Sequence, residues 1–181
     1  HYLSRHSATM DSLRKALMRR VAASARVHGT DPKEGAAWIE KLITKFQTLG
    51  YLNDRAYAQN RAQTLLARGI SPRVVAMKLR KKGVDAENIE AALETAREDA
   101  PDLDLVAAAA LARRRRLGPY RRDEEREERR DRDLAALARA GFSYEIAKRI
   151  IEAETVDVLE VMVAGERADD RLRYSADGIQ E

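Results

Sequence analysis

The sequence contains no cysteine, four prolines and few large aromatic side chains, with two phenylalanines and one tryptophan among 181 residues. Without cysteine there is no disulfide framework and no thiolate chemistry. No apolar run approaches the roughly 20 residues that a membrane-spanning helix needs, and no signal peptide is visible, so we expect a cytoplasmic location without membrane contact. The scarcity of aromatic residues argues against one large core, and several small cores in series fit better.

Alanine, leucine and arginine are abundant instead, and β-branched runs are short, which predicts an all-α fold. Charge is distributed unevenly along the chain. Residues 1–100 carry 18 basic against 11 acidic side chains, whereas residues 155–181 carry three against seven. A basic body of this kind suits a polyanion or an acidic protein groove as its partner.

Glycine followed shortly by a capping side chain divides the chain into helical segments. Glycine adopts the left-handed conformation that ends a helix, and a following Asn, Asp or Ser accepts the first free amides of the next. The clearest case is Gly69 before Ser71 and Pro72, where an N-cap precedes proline at the first helical position. These signals predict helices over 54–68, over 72–82 and from about 86 onward, which together form a three-helix unit.

The junction before the third helix of this unit recurs along the chain. Gly29, Gly83 and Gly141 are each followed two residues later by Asp or Ser, at separations of 54 and 58 residues. Three such matches indicate a tandem repeat in which neighbouring modules bury faces that none buries alone. The residues that define the repeats are Gly29, Gly50, Tyr51, Asp54, Gly69, Ser71, Pro72, Gly83, Gly118 and Gly141.

We therefore predict three three-helix repeats and a C-terminal extension. Repeat 1 spans 1–52, repeat 2 spans 53–100, repeat 3 spans 101–154 with a long charged middle helix, and the extension at 155–181 is expected to be partly disordered. Residues 2–6 resemble the end of the first helix of repeat 1, so we expect the chain to lack its true N-terminus.

In repeat 1, Ser7 is the expected N-cap of a helix running through Leu13, and Gly29 ends that helix. The next helix carries the clearest apolar stripe of the chain, which we interpret as core, with Lys41 and Lys45 along one edge. The stripe consists of Trp38, Ile39, Leu42, Ile43, Phe46 and Leu49. In repeat 3, the charged run at 121–133 is interpreted as an exposed helix rather than a site.

Basic side chains recur at seven-residue spacing in repeat 2, where Arg61 and Arg68 share one helix face and Arg73 and Arg80 share another. Four consecutive arginines end the first helix of repeat 3. Such residues form either a solvated helix face or a contact surface, and for the arginine run pairing with Glu124 and Glu125 is a third reading. The candidate partner-binding basic face comprises Arg61, Arg68, Arg73, Lys78, Arg80, Lys81, Lys82, Arg113, Arg114, Arg115 and Arg116.

Catalytic patterns are missing from the sequence. The histidines His1, His6 and His28 form no metal-ligand pattern with a carboxylate pair, no glycine-rich phosphate loop occurs, and no Ser or Thr has a recognisable base partner. Asp54 and Asp85 stand at predicted helix starts, so we interpret them as caps rather than ligands. We expect no catalytic residue, no metal, no cofactor and no enzymatic activity.

Four groups of residues together carry a family resemblance. They are Leu3, Arg5 and Ser7 followed by Leu13-Arg14-x-x-Leu17; Leu49-Gly50-Tyr51-Leu52-Asn53-Asp54 with Tyr57-Ala58; Arg68-Gly69-Ile70-Ser71-Pro72; and Leu79-x-x-Lys82-Gly83-Val84. The chain resembles the bacterial RecX family, regulators of the RecA recombinase, over residues 2–154 and most densely over 49–93. Tyr57 stands where the family commonly has Phe, and the long charged segment of repeat 3 is unusual.

The resemblance implies a non-enzymatic antagonist with an elongated, curved array of helical repeats. Proteins of this family lie in the groove of the RecA filament on single-stranded DNA, block its extension or promote its disassembly, and thereby modulate DNA repair, recombination and the SOS response. We expect a monomer whose partner is the RecA filament, with direct contact to single-stranded DNA left open. Two alternatives stay open from the residues, a direct nucleic-acid-binding helical repeat and a generic helical adaptor.

Overall fold

The computed structural model describes residues 8–100 and 102–165, and all regular secondary structure within these ranges is helical. The helices are α1 (Met10–His28), α2 (Pro32–Thr48), α3 (Asp54–Ala67), α4 (Pro72–Lys81), α5 (Ala86–Asp99), α6 (Leu103–Arg115), α7 (Asp123–Arg139) and α8 (Tyr144–Ile151), with a 3-10 turn at Gly118–Tyr120. The predicted all-α class is confirmed. The three helices expected after Gly50 are present as α3, α4 and α5.

Several predictions concern residues that the structure does not describe. The helix end at 2–6 and the polar part of the extension beyond 165 lie outside the described ranges. Helix α1 begins after Thr9, whose hydroxyl accepts the N–H of Ser12 at 3.1 Å, so the prediction of Ser7 as its N-cap is wrong. Within the extension, residues 156–165 are helical and Leu159 is fully buried.

The chain divides into two compact units. The first contains the residues up to Asn60 together with Lys78–Ala92, and the second contains Arg61–Met77 together with the residues from Leu93 onward. The dividing points fall inside α3, α4 and α5, so each unit takes helices from more than one predicted repeat. The repeat boundaries set out above remain predictions.

In the first unit, α1 packs against α2 around a small core of Leu13, Ile39, Ile43 and Leu52. Gly35 of α2 lies directly over Val21 of α1, where even a methyl group would lie 2.6 Å from the valine side chain. The missing side chain therefore lets the two helix backbones approach closely.

Only one edge of the apolar stripe on α2 belongs to this core. Ile39 and Ile43 are buried, whereas Trp38 is 65% exposed, Leu49 is 55% exposed and Leu42 is 36% exposed. The interpretation of Trp38, Leu42 and Leu49 as core residues is therefore wrong. The stripe is wider than the surface that α1 covers, and an apolar pattern does not reveal how many neighbours a helix has.

In the second unit, α8 packs against both α6 and α7. Leu105 and Leu111 of α6, Leu137 of α7 and Ile150 of α8 are buried completely or almost completely. Helix α7 is charged over its first half, and its apolar residues are gathered at the end that joins this core. The third predicted repeat therefore packs despite its long charged segment.

Glycine stops in the left-handed conformation separate the helices, as the sequence predicts. The six glycines that define the repeats have φ between +54° and +97°. Three of these turns also touch a neighbouring repeat. A Cβ on Gly69 would lie 2.6 Å from the backbone nitrogen of Leu111, one on Gly83 would overlap Asp11 of α1, and one on Gly141 would lie 2.6 Å from the hydroxyl oxygen of Ser71. Glycine is required there both by conformation and by contact.

The same kind of hydrogen bond accompanies the contacts at Gly83 and Gly141. The buried hydroxyl of Thr9 donates to the carbonyl oxygen of Lys82 at 2.5 Å within the first unit. The buried hydroxyl of Ser71, which also accepts the N–H of Val74 as the predicted cap of α4, donates to the carbonyl oxygen of Ala140 at 3.2 Å within the second. Each carbonyl belongs to the residue just before a glycine stop. The N-cap of one repeat's middle helix is thus tied to the glycine turn of the next repeat.

Replacing Gly83 by alanine should destabilise the protein more than replacing Gly29. Both residues have positive φ, so each alanine costs about 1 kcal/mol in backbone strain, but only Gly83 has a neighbour within 4 Å of the added methyl group. We expect Gly83→Ala to lower the free energy of unfolding by at least about 1 kcal/mol more than Gly29→Ala does, as measured by denaturant titration. Equal losses would contradict the close approach to α1.

Candidate basic interaction surface

All eleven candidate basic residues are exposed. Among the ion pairs that the structure describes, none engages any of these eleven side chains. Their charges are therefore hydrated and accessible, which is the condition for contact with an acidic partner at low desolvation cost.

In the first unit, the basic residues gather at the carboxyl end of α4. Lys78, Arg80 and Lys81 lie in its last turn, and Lys82 follows directly. Leu79 between them is fully buried, so it anchors the turn that carries the charges. Cations in this position also favour the helix by interacting with its free carbonyl groups, which is a structural reason for them independent of any partner.

In the second unit, Arg113, Arg114 and Arg115 occupy the last turn of α6, and Arg116 ends the helix. As the sequence predicts, the arginine run ends this helix, two residues before Gly118. Arg116 has φ +54°, the single non-glycine residue with positive φ in the described ranges. The N–H of the buried Leu117 then donates to the carbonyl of Ala112 at 2.9 Å, the helix-ending pattern usually built on glycine.

The other three candidates also belong to the second unit. Arg61 lies on α3, Arg68 directly follows that helix, and Arg73 lies in the first turn of α4. A guanidinium nitrogen of Arg73 would be 3.6 Å from a Cβ on Gly141. Arg73 therefore extends over the glycine turn to which Ser71 is bonded, although the side chain as a whole stays exposed.

The charged run at 121–133 is not simply an exposed helix, so that interpretation is wrong. Asp133 is only 2% exposed, receives two hydrogen bonds from Arg121 at 2.7 and 2.8 Å, and accepts the N–H of Gly118 at 3.0 Å. The guanidinium of Arg126 donates to the carbonyl of Ala153 at 2.5 Å. These contacts fasten the charged helix to the rest of the second unit.

The sequence contained a signal for the burial of Asp133. Asp133 precedes the buried Leu137 by four residues, so the two side chains lie on the same face of α7. The proposed pairing of the arginine run with Glu124 and Glu125 is not among the described contacts. Glu125 instead lies 3.6 Å from Arg121. The arginine run at the end of α6 is therefore exposed, whereas Arg126 and Arg130 of α7 bond to groups that follow α8.

Asp54 does not cap its own helix, contrary to prediction. Asn53 caps α3 by accepting the N–H of Ala56 at 2.9 Å, and the buried Asp54 accepts the N–H of Met10, at the start of α1, at 3.0 Å. Burial raises the pKa of the Asp54 carboxyl, against the lowering effect of that hydrogen bond. Asp85 does cap α5, since it accepts the N–H of Asn88 at 2.7 Å.

Comparison with known proteins places this scaffold in a family. The model of the second three-helix domain of RecX matches residues 53–93. The regulatory protein RecX of Myxococcus xanthus is 49% identical over 154 residues, 84% of this chain and 81% of the relative. The chain belongs to the RecX family. Regulatory protein RecX of Agrobacterium fabrum is 34% identical over 160 residues, 88% of this chain and 83% of the relative.

Membership of the RecX family confirms the tandem three-helix architecture predicted from the sequence and makes this chain a member of a family of regulatory proteins. No solved structure matches the chain. The matched RecX domain covers α3 and α4, so seven of the eleven candidate basic residues lie within it, from Arg61 to Lys82. None of the described helices is both long and apolar enough to cross a bilayer.

Removing the charge of Asp133 should destabilise this RecX-family chain. Asp133→Asn removes the closer counter-charge of the partly buried Arg121 guanidinium and leaves it only the more exposed Glu125 at 3.6 Å, so we expect a loss of about 2 to 3 kcal/mol in the free energy of unfolding. The control is Asp131→Asn on the same helix, whose side chain is 94% exposed and pairs with Arg130. Denaturant titration should show little change for the control, and equal losses would refute the structural role of Asp133.

The raised pKa of Asp54 makes the free energy of unfolding depend on pH. The folded state holds this proton more tightly than the unfolded chain, so the stabilising contribution is present below about pH 4 and lost as the pH rises through the raised pKa. Asp54→Asn keeps an oxygen acceptor for Met10 but does not titrate. The unfolding free energy of the variant relative to the parent should therefore increase between about pH 4 and about pH 7.

Asp85→Asn serves as a control of opposite sign. Hydrogen bonds from Asn88 lower the pKa of the Asp85 carboxyl, so its contribution is present above the ordinary carboxyl pKa and lost as the pH falls. Thermal unfolding of both variants should be followed from about pH 2 to about pH 7: as the pH rises, the stability of Asp85→Asn relative to the parent should fall below about pH 4, and that of Asp54→Asn should rise above about pH 4. Slopes of the same sign would show that Asp54 is not held in a desolvated site.

Proposed function

We propose that this RecX-family chain regulates the RecA recombinase by binding in the groove of the filament that RecA forms on single-stranded DNA. Occupation of the groove would block growth of the filament or promote its disassembly, and so restrain recombination, DNA repair and SOS induction. Family membership supports this role. The contact surface is proposed because eleven basic side chains are exposed and have no ion-pair partner within the described ranges.

Arginines on α4 illustrate how such a surface would recognise acidic groups. Arg73 and Arg80 are seven residues apart on one helix, so they project from nearly the same side and lie about 10 Å apart along its axis. Each guanidinium can hold a carboxylate with two parallel hydrogen bonds. A helix thus presents two bidentate contacts at a fixed interval, and the surrounding positive potential accelerates encounter with an acidic groove.

Binding of this kind requires no chemistry on the part of the protein. We propose that the chain acts as a non-enzymatic, cytoplasmic monomer without a cofactor, and that inhibition follows from where it binds. The ATPase and strand-exchange activities of RecA would fall because the filament is shorter or obstructed.

A second candidate function is direct binding to nucleic acid, favoured by the exposed arginine run from Arg113 to Arg116. Salt dependence separates the two. Phosphate contacts would make the logarithm of affinity for free single-stranded DNA fall by about 0.7 per logarithmic unit of salt for each phosphate. A filament regulator would bind free DNA weakly and still inhibit.

The paired substitution Arg73→Glu with Arg80→Glu should weaken inhibition of the RecA ATPase on single-stranded DNA. Reversal of two charges that face acidic groups costs at least about tenfold in the concentration needed for half-inhibition. The matched control is Arg19→Glu with Arg26→Glu, which reverses two exposed charges at the same spacing on α1. Thermal unfolding checks that both variants fold.

Equal weakening in both variants would show that net charge, not this helix face, governs inhibition. Unaltered inhibition by the α4 variant would exclude its face as the contact surface. No inhibition by the parent protein, accompanied by salt-sensitive DNA binding, would replace the filament-regulator proposal with the nucleic-acid alternative.

A further inference from the structure

The end of α6 holds an arginine in a backbone conformation that arginine seldom adopts. Arg116 has φ +54° and ψ +56°, whereas every other residue with positive φ in the described ranges is a glycine. In this left-handed conformation the Cβ of an L-residue comes too close to the following carbonyl oxygen. Strain of this kind persists only where the surrounding structure imposes it, and it is concentrated at functional sites.

The repeat register shows which residue the same turn has elsewhere in the chain. The segment Arg68-Gly69-Ile70-Ser71-Pro72 is followed 47 residues later by Arg115-Arg116-Leu117-Gly118-Pro119, so that an arginine and a proline align at the two ends. Gly69 therefore corresponds to Arg116, and its φ of +71° is similar. The third repeat thus has arginine where the second has glycine.

Hydrogen bonds show that the two turns are equivalent. The N–H of Ile70 donates to the carbonyl oxygen of Leu65 at 3.1 Å, and the N–H of Leu117 donates to the carbonyl oxygen of Ala112 at 2.9 Å. Each bond reaches back five residues into the last turn of its helix, which is the pattern that a left-handed residue makes possible. Glycine at position 116 would form the same turn with less strain.

Contacts within the described ranges do not explain this arginine. Cations at the end of a helix interact favourably with its free carbonyl groups, but Arg113, Arg114 and Arg115 already occupy the last turn of α6. The side chain of Arg116 is exposed and takes part in none of the ion pairs that the structure describes. No ion pair described in the structure therefore offsets the strain.

We propose that Arg116 is a specificity-determining contact residue of the basic surface, and that its guanidinium binds a carboxylate in the groove of the RecA filament. Arginine at this turn costs stability and contributes affinity, so glycine in its place gives a more stable but less inhibitory protein. The inference rests on the function proposed above and distinguishes one of the eleven candidate residues from the rest.

A carboxylate at a fixed position accounts for the strain better than a phosphate of free single-stranded DNA does. A guanidinium binds a carboxylate through two parallel hydrogen bonds, which require a defined direction of approach. The left-handed turn sets the direction in which the side chain of Arg116 leaves the backbone. Phosphates of a flexible strand can move to meet the three preceding arginines, so they require no fourth cation in a strained position.

Thermal unfolding of Arg116→Gly and Arg116→Gln measures the cost in stability. Glycine removes both the guanidinium and the strain, so it should raise the midpoint of unfolding by about 2 to 4 °C in a chain of this length. Glutamine removes the charge but keeps a left-handed side chain, so it should leave the midpoint close to that of the parent. A midpoint for Arg116→Gly at or below that of the parent would overturn the proposal.

Inhibition of the RecA ATPase on single-stranded DNA measures the contact. Both substitutions at Arg116 should raise the concentration needed for half-inhibition by about tenfold, since one charge-assisted hydrogen bond accounts for that much. The matched control is Arg132→Gln, which removes one exposed charge from α7 in the same unit and should leave inhibition unchanged. Because Arg116→Gly is expected to be more stable than the parent, unfolding cannot explain its weaker inhibition.

The outcomes separate failure of this inference from failure of the proposed function. Inhibition by Arg116→Gly equal to that by the parent, or an equal loss in Arg132→Gln, would overturn the role of Arg116 and leave the proposed function standing. Weaker binding of Arg116→Gly to free oligothymidylate, with inhibition unchanged, would assign the guanidinium to phosphate and overturn the carboxylate contact. No inhibition by the parent would refute the proposed function and this inference with it.

Discussion

The repeat array depends on glycine turns that have no room for a side chain. At Gly83 and Gly141 the backbone must take a left-handed conformation to end one helix, and at the same residue it contacts a helix of the preceding repeat. Either requirement alone favours glycine, and the two together leave no substitute without strain or displacement. The turn that ends a helix is therefore also the contact that joins repeats. Both the helix end and the contact depend on the Cβ atom that glycine lacks.

The hydroxyl groups of Thr9 and Ser71 connect these turns to the proposed contact surface. Each caps a helix and donates to a carbonyl before a glycine stop, which gives the array a direction, from the cap of one repeat to the turn of the next. The carbonyl bonded to Thr9 belongs to Lys82, whose side chain is exposed. If Lys82 contacts a partner as proposed, a backbone fixed by this hydrogen bond would lower the cost of that binding.

Helix ends and exposed charges follow closely from the sequence, because they depend on residues within a few positions of one another. Glycine stops, the Ser71 cap and the exposure of the basic side chains were all predictable in this way. The burial of Asp133 and the bond from Asp54 to α1 were not, since each depends on a partner brought near by packing. The left-handed conformation of Arg116 was not predictable for the same reason. Glycine adopts this conformation more easily, yet α6 ends at Arg116 and not at Gly118, because this places Leu117 in the core.

The residue types and their spacing along the sequence determine the class of the fold, the positions of the turns and the family to which the protein belongs. Tertiary structure decides which faces are covered. Trp38 and Ile39 are neighbours in one apolar stripe, yet Ile39 is buried by α1 and Trp38 is left exposed on α2. The physical reason is that hydrophobic patterning records which surface would gain from burial, whereas the burial itself requires a second element at the right distance, and only packing supplies one.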